Sequence, residues 1–139
     1  MSSIPQGREL FRLLLASCLF VFAGGCAASP PANEPPAAAV VIMHLHSFEP
    51  DIVTIVSGQT VRWENKSFIW HTVTADPALA RNPQDVALPP GADPFDSGKV
   101  DLGGRYSQTF TTPGEYKYFC KPHESKGMTG QIIVKAAAH

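Results

Sequence analysis

The sequence predicts an all-β fold, an antiparallel sandwich of seven or eight short strands, and two observations carry that expectation. The apolar residues fall in short runs rich in Val, Ile and aromatics, several of them alternating with polar residues at the two-residue period of a half-buried strand. Thirteen prolines and eleven glycines punctuate those runs, a balance that favours strands joined by turns over a helix bundle. At 139 residues the chain is long enough for one domain with a sizeable core and too short for two ordinary ones. A formal net charge of -1 leaves no long-range field that would attract nucleic acid or an anionic membrane.

In chain order, Arg8 and Arg12 precede an apolar stretch over residues 13–23, which ends in Gly24-Gly25-Cys26. A charged start, a short apolar centre and small residues at a cleavage point read as a signal peptide over residues 1–26. The apolar run falls short of the ~20 residues that a spanning helix needs. Small residues directly before a cysteine resemble a bacterial lipoprotein signal, in which Cys26 is lipidated and becomes the mature N-terminus. Ala23 departs from the leucine usual there, and the competing reading is ordinary cleavage near Ala27 or Ala28. The lipoprotein reading is preferred because residues 27–38, AASPPANEPPAA, read as a disordered, proline-rich tether that holds a domain off a membrane. An exported, periplasmic or otherwise extracytoplasmic protein anchored through Cys26 is the expectation, with its folded domain over residues 39–137.

Within that domain, residues 40–48 are expected to form one strand closed by Pro50, and residues 52–56 a second, β-branched one. Residues 60–65 alternate, with Val61 and Trp63 on one face, and residues 68–74 suggest a short strand carrying Trp70 and His71. Residues 76–94, rich in Pro, Ala and Asp, read as a long loop with one helical turn near residues 77–81, since Asp76 can cap it and Pro77 suits its first position. Loops of that length in a compact domain are usually functional or mobile. Strands resume at residues 96–100, 105–111, 115–120 and 130–135. Trp63 and Phe110 are assigned to the core, and Tyr116 and Tyr118 also fit core packing.

Chemistry concentrates in one stretch, Tyr116-Lys-Tyr-Phe-Cys120-Lys-Pro-His123-Glu-Ser-Lys-Gly-Met128-Thr-Gly130. Beyond the leader Cys120 is alone, so an exported domain cannot spend it on an internal disulfide; a ligand, a reactive thiol or a small buried apolar residue are its possible roles. Thiolate and thioether donors select copper over magnesium or calcium, and imidazole suits copper as well. Two histidines, one cysteine and a weak axial methionine are the recognisable donor set of a copper electron-transfer centre. Cys120, His123 and Met128 supply three of the four, and His71 is the best candidate for the remaining imidazole.

The run Gly114-x-Tyr116-x-Tyr118-x-Cys120-x-x-His123-x-x-x-x-Met128-x-Gly130-x-Ile132-x-Val134 resembles the cupredoxins of the plastocyanin and pseudoazurin group. Phe48-x-Pro50, Gly58, Val61-x-Trp63-x-Asn65 and His71-Thr72-Val73 fit the first half of that family, and Phe95-Asp-Ser-Gly98 and Phe110 its middle. The likeness covers about residues 40–135. It implies a Greek-key β-sandwich with one copper ion at one end, held by His71, Cys120, His123 and Met128. Thr72 stands where plastocyanins usually have Asn, and the 76–94 loop is longer than in the simplest members.

The same resemblance implies a monomeric electron carrier, cycling between Cu(I) and Cu(II) and docking transiently on redox partners such as cytochromes or membrane electron-transfer complexes. His123 would be the electron's exit edge, ringed by Trp70, Pro122 and residues of the 76–94 loop, with Lys121, Glu124 and Lys126 giving mixed charge. In multicopper oxidases the corresponding cysteine is flanked by histidines; Phe119 and Lys121 flank it here, which points to a carrier without substrate turnover. The rival readings are a copper-delivery protein, which would stay colourless with Cu(I), and a plain sandwich domain that binds no copper stoichiometrically. His44 and His46 lie two apart on the expected first strand and on one of its faces, as ordinary surface histidines or as a second metal-acquiring pair with Met43 and His139.

Overall fold

The structure is a computed structural model and describes residues 34–138; the signal peptide and lipid anchor expected at residues 1–26, and most of the tether, lie outside the described residues. The strands are β1 (Ala37–Met43), β2 (Phe48–Glu49), β3 (Ile52–Val56), β4 (Gln59–Asn65), β5 (Thr74–Ala75), β6 (Phe95–Asp96), β7 (Arg105–Phe110), β8 (Gly114–Phe119) and β9 (Thr129–Lys135). They form a four-stranded sheet in the order β2-β1-β4-β7 and a five-stranded sheet in the order β3-β9-β8-β5-β6. The expected sandwich is present, with nine strands among the described residues and β1 opening two residues before the expected domain boundary.

Alternation in the sequence becomes sidedness in the sandwich. Val53 and Ile55 of β3 face inward while Ile52, Thr54 and Val56 face out; on β9 the inward set is Gly130, Ile132 and Val134. Trp63 is fully buried, with its ring 5.3 Å from Tyr118 at 84° and 6.4 Å from Phe110, and Phe48 closes on Tyr118 at 4.8 Å. Burying such rings contributes about 1.5–3 kcal/mol each, and edge-to-face pairing adds about 0.5–1.5 kcal/mol. Tyr116 and Tyr118 are therefore core residues, and the Tyr116 hydroxyl donates to the Thr112 carbonyl at 2.8 Å, pinning the turn before β8. Tyr118 lies opposite Gly130 in the β8–β9 ladder, where a Cβ would come within 2.3 Å of its ring. Only glycine leaves room for that ring.

Several expectations need correction; the strand expected at 96–100, for one, is only Phe95–Asp96, with Val100 bridging His71 alone. The sandwich is not wholly antiparallel: β1 runs parallel to β4, and β3 parallel to β9. The chain leaves β1 for the other sheet at β3 and then returns beside β1, so the returning strand runs in the same direction. The first strand does not extend to residue 48. It ends at Met43, where the His44 N–H donates to the Ser47 carbonyl at 2.9 Å, and β2 folds back to pair with Ile42 and Met43. His44 and His46 thus occupy a bend and share no strand face.

Residues 68–74 are mostly loop, with only Thr74 in a strand and His71 bridging Val100. The side chains of Asn65 and Ser67 capture local backbone groups there, competing with a ladder. In the long loop the turn at Asp76 is not continued, and a 3-10 helix instead forms at Pro83–Asp85, with the Asn82 side chain accepting from the Gln84 N–H. Asp76 does cap the expected turn, its carboxylate accepting from the Ala78 N–H at 2.9 Å, but the turn stops at Leu79 and does not run on to residue 81.

Candidate metal centre

Strand β8 ends at Phe119, and its ladder fixes the direction in which Cys120 leaves the sheet. Pro122 then favours a tight turn, and Lys121–Lys126 form a 3-10 helix. Gly127, at φ 76°, takes the left-handed conformation that ends that helix and turns the chain into β9. Three backbone bonds close the hairpin: His123 N–H to the Cys120 carbonyl at 3.0 Å, Cys120 N–H to the Met128 carbonyl at 3.0 Å, and Met128 N–H to the His123 carbonyl at 3.3 Å. Backbone bonds alone thus tie residues 120, 123 and 128 to one another.

His71 comes from far back in the chain and is held by a reciprocal pair of backbone bonds with Val100, 3.1 and 2.9 Å. Its Nδ1 lies 3.5 Å from the Cys120 Sγ, and the His123 Nδ1 lies 3.3 Å from the same sulfur. The ring centres of His71 and His123 are 4.9 Å apart, and the donor atoms of the three residues all lie within 4.8 Å of one another. His71, Cys120 and Met128 are fully buried and His123 is half-buried. All four residues singled out in the sequence therefore sit at one end of the sandwich.

The surroundings orient these side chains. His71 Nε2 lies 2.7 Å from the Ser67 hydroxyl, which donates to Asn65 Oδ1 at 2.9 Å. The Asn65 amide is in turn anchored on the carbonyls of Ile69 and Val100, at 2.8 and 2.9 Å. A proton on Nε2 satisfies Ser67 and leaves the Nδ1 lone pair facing the sulfur, the way an outer partner fixes the tautomer of a ligating histidine. On the sulfur side the Thr72 N–H points at Sγ from 3.4 Å. The Thr72 hydroxyl accepts from the Lys121 N–H at 2.9 Å, so threonine, standing where the family usually has asparagine, still joins the two ligand-bearing segments. Thr74 Oγ1 extends this link, 3.0 Å from Thr72 Oγ1 and 2.8 Å from Asp96 Oδ1.

Burial sets the charge of the cluster. It pushes the His71 imidazole down to about 4, helped by the nearby His123 and His46, and lowers His123 with help from His46. Burial raises the Cys120 thiol, against the opposing effect of the Thr72 N–H. At neutral pH the cluster therefore offers two uncharged imidazoles and a thiol that loses one proton on ligation. A buried sulfur with two converging ring nitrogens, and a fully buried methionine tied to it through the backbone, fits copper and is too poor in oxygen for magnesium or calcium.

The rim differs in part from expectation. A groove beside His123 is lined by Phe68, Trp70, Asp101, Leu102 and Pro122, with Phe68 79% and Leu102 65% exposed. Trp70 and Pro122 are there as expected, but Phe68 and Leu102 take the place assigned to the 76–94 loop. That loop goes elsewhere: Ala87 bridges Lys117 on β8, and the backbone N–H groups of Arg81 and Asn82 both donate to Glu124 Oε1 at 2.8 Å. Glu124 is accordingly buried and contributes no rim charge, because its carboxylate is the loop's anchor. The Lys99–Asp101 pair at 3.0 Å adds charge of both signs at the rim, with the Lys99 ammonium 6.0 Å from the Trp70 ring centre, while Lys121 is paired with Asp96.

Sequence reasoning missed Ser67, Glu124 and the place of His46, whose ring centre lies 5.1 Å from that of His123. An available signal was the Asn65-x-Ser67 spacing, which favours a local side-chain turn just before the histidine.

Comparison with known proteins agrees with this geometry. The family model described as copper binding proteins, plastocyanin/azurin family, matches residues 39–135. The chain is similar to the chloroplastic plastocyanin of Tetradesmus obliquus, 36% identical over 92 residues, a match covering 63% of this chain and 58% of that one. It thus spans rather more than half the length of that relative. Against the plastocyanin of Synechococcus sp. (strain JA-2-3B'a(2-13)) it is 33% identical over 139 residues, covering 91% and 95% of the two chains. Among solved structures, a Cu(I) form of a mutant amicyanin superposes with a TM-score of 0.57 at 27% identity, over 75% of this chain and 88% of that one. The matched stretch takes in both sheets and each of the four converging residues, and the chain belongs to the plastocyanin/azurin family of copper-binding proteins.

Proposed function

We propose that this protein is a one-electron carrier working outside the cytoplasm, with a single copper ion held by His71, Cys120, His123 and Met128. The observation that carries the reading is the buried Cys120 sulfur with two histidine Nδ1 atoms within 3.5 Å of it. Bound copper supplies a Cu(I)/Cu(II) couple suited to near-constant soft and imidazole donors. The chain's own residues do the rest. Ser67 and Asn65 hold the His71 ring, Thr72 ties Lys121 to the opposite segment, and the closed hairpin keeps Cys120 and Met128 in register, so little rearranges when charge arrives.

His123 alone of the four reaches the surface, and it does so beside an apolar rim. An electron leaves or arrives there, in short-lived complexes with partner redox proteins such as cytochromes or membrane electron-transfer complexes. The rim's few charges suit weak docking by a monomer. Phe119 and Lys121 flank Cys120, which supports a carrier with no turnover of its own. An export signal at residues 1–26, lipidation at Cys26 and a tether that gives way to β1 at Ala37 complete the reading, which puts the domain on the outer side of a membrane.

The test is the visible spectrum of copper-loaded protein. Oxidised protein absorbs intensely, bleaches with ascorbate and recovers over repeated cycles, and Cys120→Ser folds but stays colourless. Retained colour in that variant overturns the ligand assignment. A wild-type protein that holds only colourless Cu(I) and yields it to an acceptor overturns the carrier reading.

A further inference from the structure

His46 has no part in the site described so far. It lies in the bend after β1, exposed, with its ring edge-on to His123 at 63° and 5.1 Å between centres. The two imidazoles of the buried cluster, His71 and His123, are separated by almost the same distance, 4.9 Å. With metal–nitrogen bonds of about 2 Å and bond angles of about 90–120°, rings on a shared ion have centres about 4.5–5.5 Å apart. His123 therefore has two imidazoles at ligand-sharing distance, one buried and one in solvent. His44, from the same bend, is engaged elsewhere, 3.2 Å from Glu49. The histidine pair suggested by the sequence is thus replaced by His46 with His123.

Access gives this geometry a use. His71, Cys120 and Met128 are fully buried, so an ion from solvent meets His123 first. We propose that His46 and His123 form a transient receiving site for a cupric ion, through which the buried cluster is loaded. The inference rests on the copper reading above. The ion is first shared by the two exposed-side imidazoles. His123 then carries it inward by rotation about its side-chain bonds, a fast motion for a half-exposed residue. As the copper–sulfur bond forms, the Cys120 S–H bond breaks and its proton passes to water, His46 is released, and copper stays Cu(II) throughout.

Rapid mixing of metal-free protein with cupric sulfate, followed by the sulfur-to-copper absorbance, tests this. In wild-type protein the loading rate saturates with copper, as a prior binding step requires. His46→Ala loads at least tenfold more slowly at low copper, with a rate linear in copper, and reaches the same final spectrum with one copper per chain. His46→Gln, which keeps the side-chain size, behaves the same way, and His44→Ala loads like wild type. Loading of both His46 variants within twofold of wild type overturns the proposal, as does equal slowing in His44→Ala or a changed final spectrum. Wild-type protein that takes up no copper would instead overturn the function itself.

Discussion

Replacing Asn65 by alanine probes the support beneath His71. The Asn65 side chain is fully buried and makes four hydrogen bonds: it donates to the Ile69 and Val100 carbonyls and accepts from the N–H and the hydroxyl of Ser67. Its loss does not affect these partners equally. The Val100 carbonyl keeps the His71 N–H, and the Ile69 carbonyl keeps the Ser67 hydroxyl, so each forfeits about 1 kcal/mol. The Ser67 N–H is left buried without its acceptor, at a cost of about 1–3 kcal/mol.

The sum, about 3–5 kcal/mol, is a large share of the ~5–15 kcal/mol that stabilises an ordinary domain. Urea unfolding is the assay, on metal-free protein so that bound copper does not add stability by mass action. With a slope of about 2 kcal/mol per molar, the midpoint falls by roughly 2 M. Because the Ser67 backbone loses the Asn65 oxygen that holds it in place, its hydroxyl no longer sits fixed against Nε2, the His71 ring loosens and the absorption of the loaded variant shifts too. A loss below about 1 kcal/mol with an unchanged spectrum would refute the idea that this network positions the histidine.

Gly130→Ala puts a methyl group against a Tyr118 ring already hemmed in by Phe48 and Trp63, and a loss of about 1–3 kcal/mol or more is expected in the same unfolding assay. Metal-free stability follows pH in a definite sense. His71 has a folded value of about 4 against 6.5 ordinarily, so its contribution is present above pH 6.5 and is lost as pH falls toward 4, by up to about 3 kcal/mol. The raised Cys120 thiol acts at the other end, its contribution being lost as pH climbs past 9.0; midpoints measured from pH 4 to 10 should trace a two-sided fall. Between those limits copper binding displaces the thiol proton, so affinity in a competition titration should rise about tenfold per pH unit.

The ligand hairpin was legible because its information is local. Cys120, His123 and Met128 lie within nine residues, and donor chemistry alone selects their partner. Strand existence was legible for the same reason: residues 52–56 and 59–65 carry their own alternation. The parallel pairings were not, since they depend on which sheet a strand joins after a crossover, and β1 and β3 read alike in isolation. Glu124 reads as solvated because carboxylates are seldom buried, and only the fold supplies the two N–H groups that compensate it. His46 was misplaced because apolar-polar alternation runs on past Met43, where the backbone has already turned away.

The 76–94 loop is anchored partly through its backbone and partly through Val86 and Leu88, which pack on the core. Glu124 grips the peptide groups of residues 81 and 82 rather than their side chains, so any amino acid except proline can serve at 81, while 82 also needs a side chain that can cap the helix at Pro83–Asp85. What must persist is the span from that grip to the Ala87 bridge on β8. Relatives built on this scheme can therefore vary the loop's exposed letters while inheriting its path, provided the acid at 124 and the apolar residues at 86 and 88 stay.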